Sequence, residues 1–300
     1  MSACIDAICA KYGGSRIACR SSSDQLDVAL VPNMIGLFNK TPAVLDELVE
    51  KYPIRGANDE IIPETVQWVG GDNAALKYRG HTLKREKIWL QNGSVRNGYA
   101  YYYYTGVQWA VVPAQTDWAQ CQEFMPVVNG YNAFCEAVGA QKANQAIITR
   151  YRDGDHFIGA HFDKPKSIAP SAPDAASLIT VIKIGPTGRR FNLYDLNGSV
   201  IWSQIIEPGD ALIMTLEANL QTKHEVPTCA DGETVGDSGS IVFRSISSVV
   251  PYNVVKKKIA MSESSRARAR ARKMNSKNSK NLKNSKRKKA DSDDSDDSDD

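Results

Sequence analysis

From Asn144 to Val250 the apolar positions fall into short runs divided by turn residues. The runs are QAIITRYR (145–152), FIGAHFD (157–163), SLITVIKIG (177–185), RRFNLYDL (189–196), SVIWSQII (199–206), ALIMTLE (211–217) and GSIVFRSISSVV (239–250). Between them lie a DGD turn at 153–155, a Pro- and Ala-rich loop at 168–176, Asn197-Gly198 and EPGD at 207–210. Asn-Gly between two apolar runs is a strong hairpin signal. Many short strands at close spacing predict a sandwich or barrel, and a jelly roll fits the order.

Helical periodicity enters before this region. TPAVLDELVEKYP (41–53) predicts an amphipathic helix, with Thr41 as its cap, Pro42 in its first turn and Val44, Leu45, Leu48 and Val49 as its stripe. A second helical zone covers 118–138 and carries candidate breaks at Pro126 and Gly130. Residues 79–109 read as a loop-rich hairpin region, and the first thirty residues follow neither period. The expected fold is therefore mainly β with flanking helices, built on a double-stranded β-helix. Its expected parts are an N-terminal extension (1–83), a domain (84–250) with its jelly-roll core at about 143–250, and a charged tail (256–300).

Charge sharpens the boundary of the tail. Residues 251–300 carry 15 Lys and Arg against 8 Asp and Glu, whereas residues 1–250 carry 22 against 26. RARARAR, NSKNSKNLKNSKRKK and DSDDSDDSDD are low-complexity runs with too little apolar surface to offset the entropy of ordering, which predicts disorder. Six cysteines without a C-x2-C pair argue against structural zinc and for reduced thiols inside the cell. No signal peptide or bilayer-length apolar run is read. KRKK (286–289) adds the nucleus as a candidate address beside the cytoplasm. A monomer without membrane association is expected.

His161 and Asp163 lie two apart on a predicted strand, so both side chains are expected on one face, with Phe162 on the other. A metal would explain the pair, and so would a surface pair beside a turn. HxD alone is a weak motif. His224, just after ALIMTLE, is a candidate third ligand, because a late jelly-roll strand returns beside an earlier one. Two histidines and a carboxylate form the facial triad that leaves positions open on iron(II). Arg244 sits in the apolar run IVFRSI, and an inward arginine there needs an anionic partner such as a carboxylate.

These pieces together resemble the AlkB-like iron(II)/2-oxoglutarate dioxygenases. The likeness spans 84–250 and rests on REKIWLQNG with GYAYYYYTG, on IITRYRDGDHFIGAHFDKPKSIAP, on EPGDALIMTLEANLQTKHEVP and on IVFRSI, in the family's order. It implies that His161, Asp163 and His224 bind iron(II), and that Tyr151 and Arg244 contact 2-oxoglutarate. The positions of two further cosubstrate contacts hold Thr149 and Ser240, where the family has Asn. Ser238 stands where the family has a first arginine, six residues before Arg244. The implied chemistry consumes dioxygen and 2-oxoglutarate and releases succinate and carbon dioxide. It hydroxylates a C–H bond, and an N-methyl group so hydroxylated leaves as formaldehyde.

The implied substrate is an N-methylated base in DNA or RNA, as in DNA repair, with Trp89, Tyr99 and Tyr101 enclosing the flipped base. Some members that act on cationic methylated bases carry an acid after HxD. Lys164-Pro165-Lys166 stand there instead, which favours a neutral base or a phosphate contact at Lys164. The basic run 256–289 is a candidate phosphate tether. Two alternatives remain open at this level: the same chemistry on a protein or small molecule, and a non-catalytic jelly roll that binds nucleic acid.

Overall fold

The computed structural model describes residues 3–18, 25–52, 66, 68–70, 76–78, 81–93, 99–101, 116–163, 168–247, 249–251 and 268. The early strands are β1 (Ser15–Ala18), β2 (Gln25–Val31), β3 (Val69–Gly70), β4 (Leu76–Tyr78), β5 (His81–Leu83), β6 (Glu86–Gln91), β7 (Tyr99–Tyr101) and β8 (Thr116–Asp117). After them come β9 (Gln145–Tyr151), β10 (Ile158–His161), β11 (Leu178–Ile184), β12 (Arg189–Tyr194), β13 (Val200–Ile206), β14 (Ala211–Thr215), β15 (Lys223–Val226), β16 (Ser238–Arg244) and β17 (Val249–Pro251). The α-helices are α1 (Ala3–Tyr12), α2 (Val44–Lys51), α3 (Met125–Ala137) and α4 (Leu216–Gln221). Among the described residues no helix is long and apolar enough to cross a membrane.

Strands β9 to β16 divide between two antiparallel sheets. The larger contains β14-β11-β16-β9, extended by β2 and β1 beyond β14 and by β6 and β3 beyond β9. The smaller runs β10-β15-β12-β13. The chain passes back and forth between the two sheets, which is the jelly-roll, or double-stranded β-helix, arrangement that the strand spacing predicts.

Burial follows from this layering. Strands of the larger sheet are covered on both faces, so β11 and β14 are buried at every position. One face packs on the helices: Ile148, Ile182, Ile241 and Phe243 join Ile5 and Ile8 of α1, Leu45 and Leu48 of α2, and Val127 and Tyr131 of α3 in one core. The other face looks into the space between the sheets, where Tyr151, Ile179, Val181, Phe191 and Leu212 form a second core. β12 covers the second core with one face only and alternates between buried and half-buried positions.

Several expectations change. α2 begins at Val44 with Ala43 as its N-cap, and no side chain caps it. Thr41 instead lies in the preceding turn, where its carbonyl accepts from the Val44 N–H, while the Pro42 carbonyl accepts from the Gly185 N–H at the end of β11. The second helical zone is a short 3₁₀ turn at Trp118–Gln120 followed by α3. α3 is unbroken, because Pro126 sits in its first turn, where a missing N–H costs nothing. Gly130 does not break it either. It lets the Phe38 ring approach so closely that a Cβ there would lie 2.4 Å from the ring. The ALIMTLE run ends as strand at Thr215, whose side chain accepts from the Ala218 N–H and caps α4. The opening residues, unreadable by period, form α1, β1 and β2, and β2 pairs with β14 in the larger sheet.

Candidate metal centre

Three elements bring the predicted ligands together. His161 ends β10 and stands opposite His224 of β15 in the strand register. Their ring centroids are 4.3 Å apart. Asp163 does not share the strand with His161. It follows the strand end, in irregular backbone held from α4: the Asp163 N–H donates to Asn219 Oδ1 at 2.9 Å, and Asn219 Nδ2 donates to the Asp163 carbonyl at 2.8 Å. Phe162 between the two ligands is 44% exposed, so it does point away from the pair. One ligand atom from each of His161, Asp163 and His224 lies within 4.8 Å of the others.

The donor set suits a divalent metal. His161 Nδ1 lies 2.8 Å from the Gly159 carbonyl. A carbonyl can only accept, so Nδ1 carries the proton and the Nε2 lone pair is left for a metal. His224 is 93% buried and stacks on Phe191, and among the described residues its Nδ1 has no hydrogen-bond partner. Burial lowers the His161 and His224 imidazoles, the latter to about 3, so both rings are neutral at pH 7. Burial acts to raise the Asp163 carboxyl, but the Arg244 guanidinium and the two imidazoles outweigh it and hold the group at about 2. Two neutral imidazoles and one carboxylate are the protonation states that metal binding requires.

Arg244 stands against this group on β16. Its Nη1 is 3.1 Å from Asp163 Oδ2, and its Nη2 donates to Gln145 Oε1 at 2.7 Å. The inward arginine thus has an anionic partner within the protein itself. Tyr151, Thr149 and Ser240 are all buried, and Ser240 pairs with Thr149 across β16 and β9. Ser238 pairs with Tyr151 and is fully buried.

No family model matches this chain, and no curated protein matches it. Among solved structures, OsALKBH1 is similar at 13% identity and a TM-score of 0.44, over 77% of this chain and 99% of that one. A prolyl hydroxylase from Trichoplax adhaerens, in complex with a fragment of the oxygen degradation domain of hypoxia inducible factor, is similar at 10% identity and a TM-score of 0.36. That likeness covers 78% of this chain and 86% of the other. Both TM-scores are below 0.5, and the fold assignment rests on the strand order.

The expected substrate residues are less concentrated. Trp89 lies on β6, 4% exposed, with Lys87 Nζ 5.8 Å from its ring. Tyr99 and Tyr101 lie on β7, whose backbone pairs with Pro251 and Val249 of β17. Lys164, Tyr102, Tyr104 and the tail beyond Pro251, apart from Arg268, lie outside the described residues.

Three residues escaped the sequence reading. Asn219 carries no pattern that marks it, because its role depends on a partner 56 residues away. Lys87 and Lys183 did carry a signal, as each interrupts a buried run, EKIWLQ or LITVIKI. Both are at least nine-tenths buried. The reasoning that singled out Arg244 applies equally to them. In strand register Lys87, Thr149, Ser240 and Lys183 form one row across β6, β9, β16 and β11.

Proposed function

We propose that this chain is an iron(II)- and 2-oxoglutarate-dependent dioxygenase that removes methyl groups from N-methylated bases in nucleic acid. The observation that carries the class is the convergence of His161, Asp163 and His224, in the required protonation states, at one end of a jelly roll. When bound there, iron(II) with 2-oxoglutarate and dioxygen supplies the oxidation of a C–H bond, with succinate and carbon dioxide as the other products.

The chain's own residues prepare that chemistry. His161 offers Nε2 because Gly159 holds Nδ1. Asn219 fixes the Asp163 backbone, and Arg244, itself held by Gln145, fixes its carboxylate. Phe191, stacked on His224, excludes water from one side of that imidazole. The nucleic-acid part of the reading is supported by the basic run in residues 256–289, whereas the buried Trp89 offers a base no open face.

Succinate formation from 2-oxoglutarate with iron(II), ascorbate and oxygen tests the class. Wild type is expected to turn over and His161→Ala to fall at least ~100-fold, since a facial triad short of one ligand holds iron poorly. Formaldehyde released from methylated oligonucleotides but not from methylated peptides would support the substrate, and the reverse would remove nucleic acid from the reading. Wild type without turnover, and without iron(II) binding, would sink the class.

A further inference from the structure

A second set of polar residues lies deeper between the sheets than the metal ligands. Tyr151 of β9, Lys183 of β11, Ser240 of β16, Arg189 and Phe191 of β12 and Ile206 of β13 line one narrow cleft. Phe191 connects it to the metal group, since its ring also stacks on that of His224. The side chain at the Tyr151 hydroxyl is Ser240. Lys183 Nζ lies 5.3 Å and Arg189 Cζ 5.4 Å from the Tyr151 ring centroid.

The charges of this cleft do not balance. Arg189 is 4% exposed and donates to the carbonyls of Asp153, His156 and Pro227 at 2.8, 2.6 and 2.9 Å. Three neutral acceptors satisfy its N–H groups without cancelling its charge. Lys183 is also 4% exposed, and among the described residues no carboxylate pairs with it. Burial, with Arg189 adding to it, pushes the Lys183 ammonium well below the ordinary lysine value. A buried guanidinium and a buried lysine whose ammonium form is disfavoured face one tyrosine, with no carboxylate between them among the described residues. A bound carboxylate would relieve the imbalance.

We propose that Lys183, with Tyr151 and Ser240, anchors the far carboxylate of a dicarboxylate whose other end is a metal-bound 2-oxo acid. This rests on the dioxygenase reading and deepens it. The positive charge expected on β16 at position 238 is supplied by the neighbouring strand β11 instead. Ser238 is fully buried, and its pairing with Tyr151 leaves no charged group at that position. Lys183 pairs with Ser240 across β11 and β16, so it reaches the same cleft from the adjacent strand. Arg189 stays fixed on its carbonyls and supplies positive background, while Lys183 makes the direct contact.

The test is binding, read without turnover. The full chain is loaded with manganese(II) in the absence of iron and titrated calorimetrically with 2-oxoglutarate. A parallel titration uses 2-oxopentanoate, which keeps the 2-oxo acid and the chain length but ends in a methyl group. Wild type should prefer 2-oxoglutarate. Lys183→Met should lose ~30-fold in affinity for 2-oxoglutarate, the order of one charge-assisted hydrogen bond, and keep its affinity for 2-oxopentanoate. Lys183→Arg should retain the preference. The thermal midpoint of Lys183→Met without ligand should equal or exceed that of wild type, because a buried amine with no anionic partner has been replaced by an apolar side chain of similar length. Lys183→Gln is read alongside in case methionine disturbs packing.

Unchanged affinity for 2-oxoglutarate in the Lys183 variants, or equal weakening for both acids, would overturn the anchor and leave the dioxygenase reading intact. A lysine variant that unfolds at markedly lower temperature would make Lys183 structural and also overturn the anchor. Wild type that binds manganese(II) but neither acid would overturn both.

Discussion

At the scale of single residues, the candidate centre depends on how its ligands are held. Asp163 sits past the end of β10, where no strand pairing orients it. Its backbone is fixed by the two hydrogen bonds to Asn219, and its carboxylate by Arg244. Asn219→Ala removes both backbone contacts without touching a ligand. Metal affinity is expected to fall ~10- to 100-fold, the range for groups that orient ligands, while circular dichroism stays unchanged. Calorimetric titration with manganese(II) checks this, and equal affinity in the variant would mean that Arg244 alone positions the carboxylate. The histidines and Asp163 were legible as a motif because ligand chemistry restricts residue type. Asn219 was not, because a backbone clamp places no such restriction on sequence.

At the scale of elements, the helices carry the lesson. α3 runs through Gly130, a residue that weakens a helix by propensity, because Phe38, at the end of a separate 3₁₀ turn (Met34–Phe38), needs the space. Gly130→Ala should therefore destabilise the fold by ~1–3 kcal/mol, although alanine is the better helix former. Urea unfolding decides it, and a variant more stable than wild type would show that propensity outweighs the contact. The same contest between local signal and tertiary contact moved the start of α2. Thr41 has the chemistry of a cap, but it lies in a turn whose Pro42 carbonyl accepts from both the Leu45 and Gly185 N–H groups, and the helix starts at Val44. Strands were easier to read. Asn197-Gly198 closes the β12–β13 hairpin as expected, with Gly198 at φ 94.

At the scale of the molecule, the N-terminal segment is part of the larger sheet. β2 pairs with β14 through Val28 to Val31, and α1 buries Ile5 and Ile8 in the helix-side core. Deleting residues 1–31 would leave Leu212, Ile213 and Met214 on an open strand edge. The shortened chain is expected to self-associate, seen as a shift to larger species in size-exclusion chromatography with light scattering. A monomer with the wild-type thermal midpoint would reduce β1 and β2 to an appendage. Periodicity could not reveal this role, since the residues before β2 fit neither period.

The residue order alone marked the jelly roll's strand succession, the candidate metal-ligand trio and the inward arginine. Each of these is written in local alternation, turn chemistry or residue type, and needs no knowledge of distant neighbours. Tertiary structure decided what the arginine faces, what fixes Asp163, where β2 lies and which cations share the inner cleft. Those outcomes join residues far apart in the chain, such as Gln145 with Arg244, 99 positions away. Such pairs are selected by which side chains the closed sheets bring into contact, and that geometry exists only once both sheets have formed.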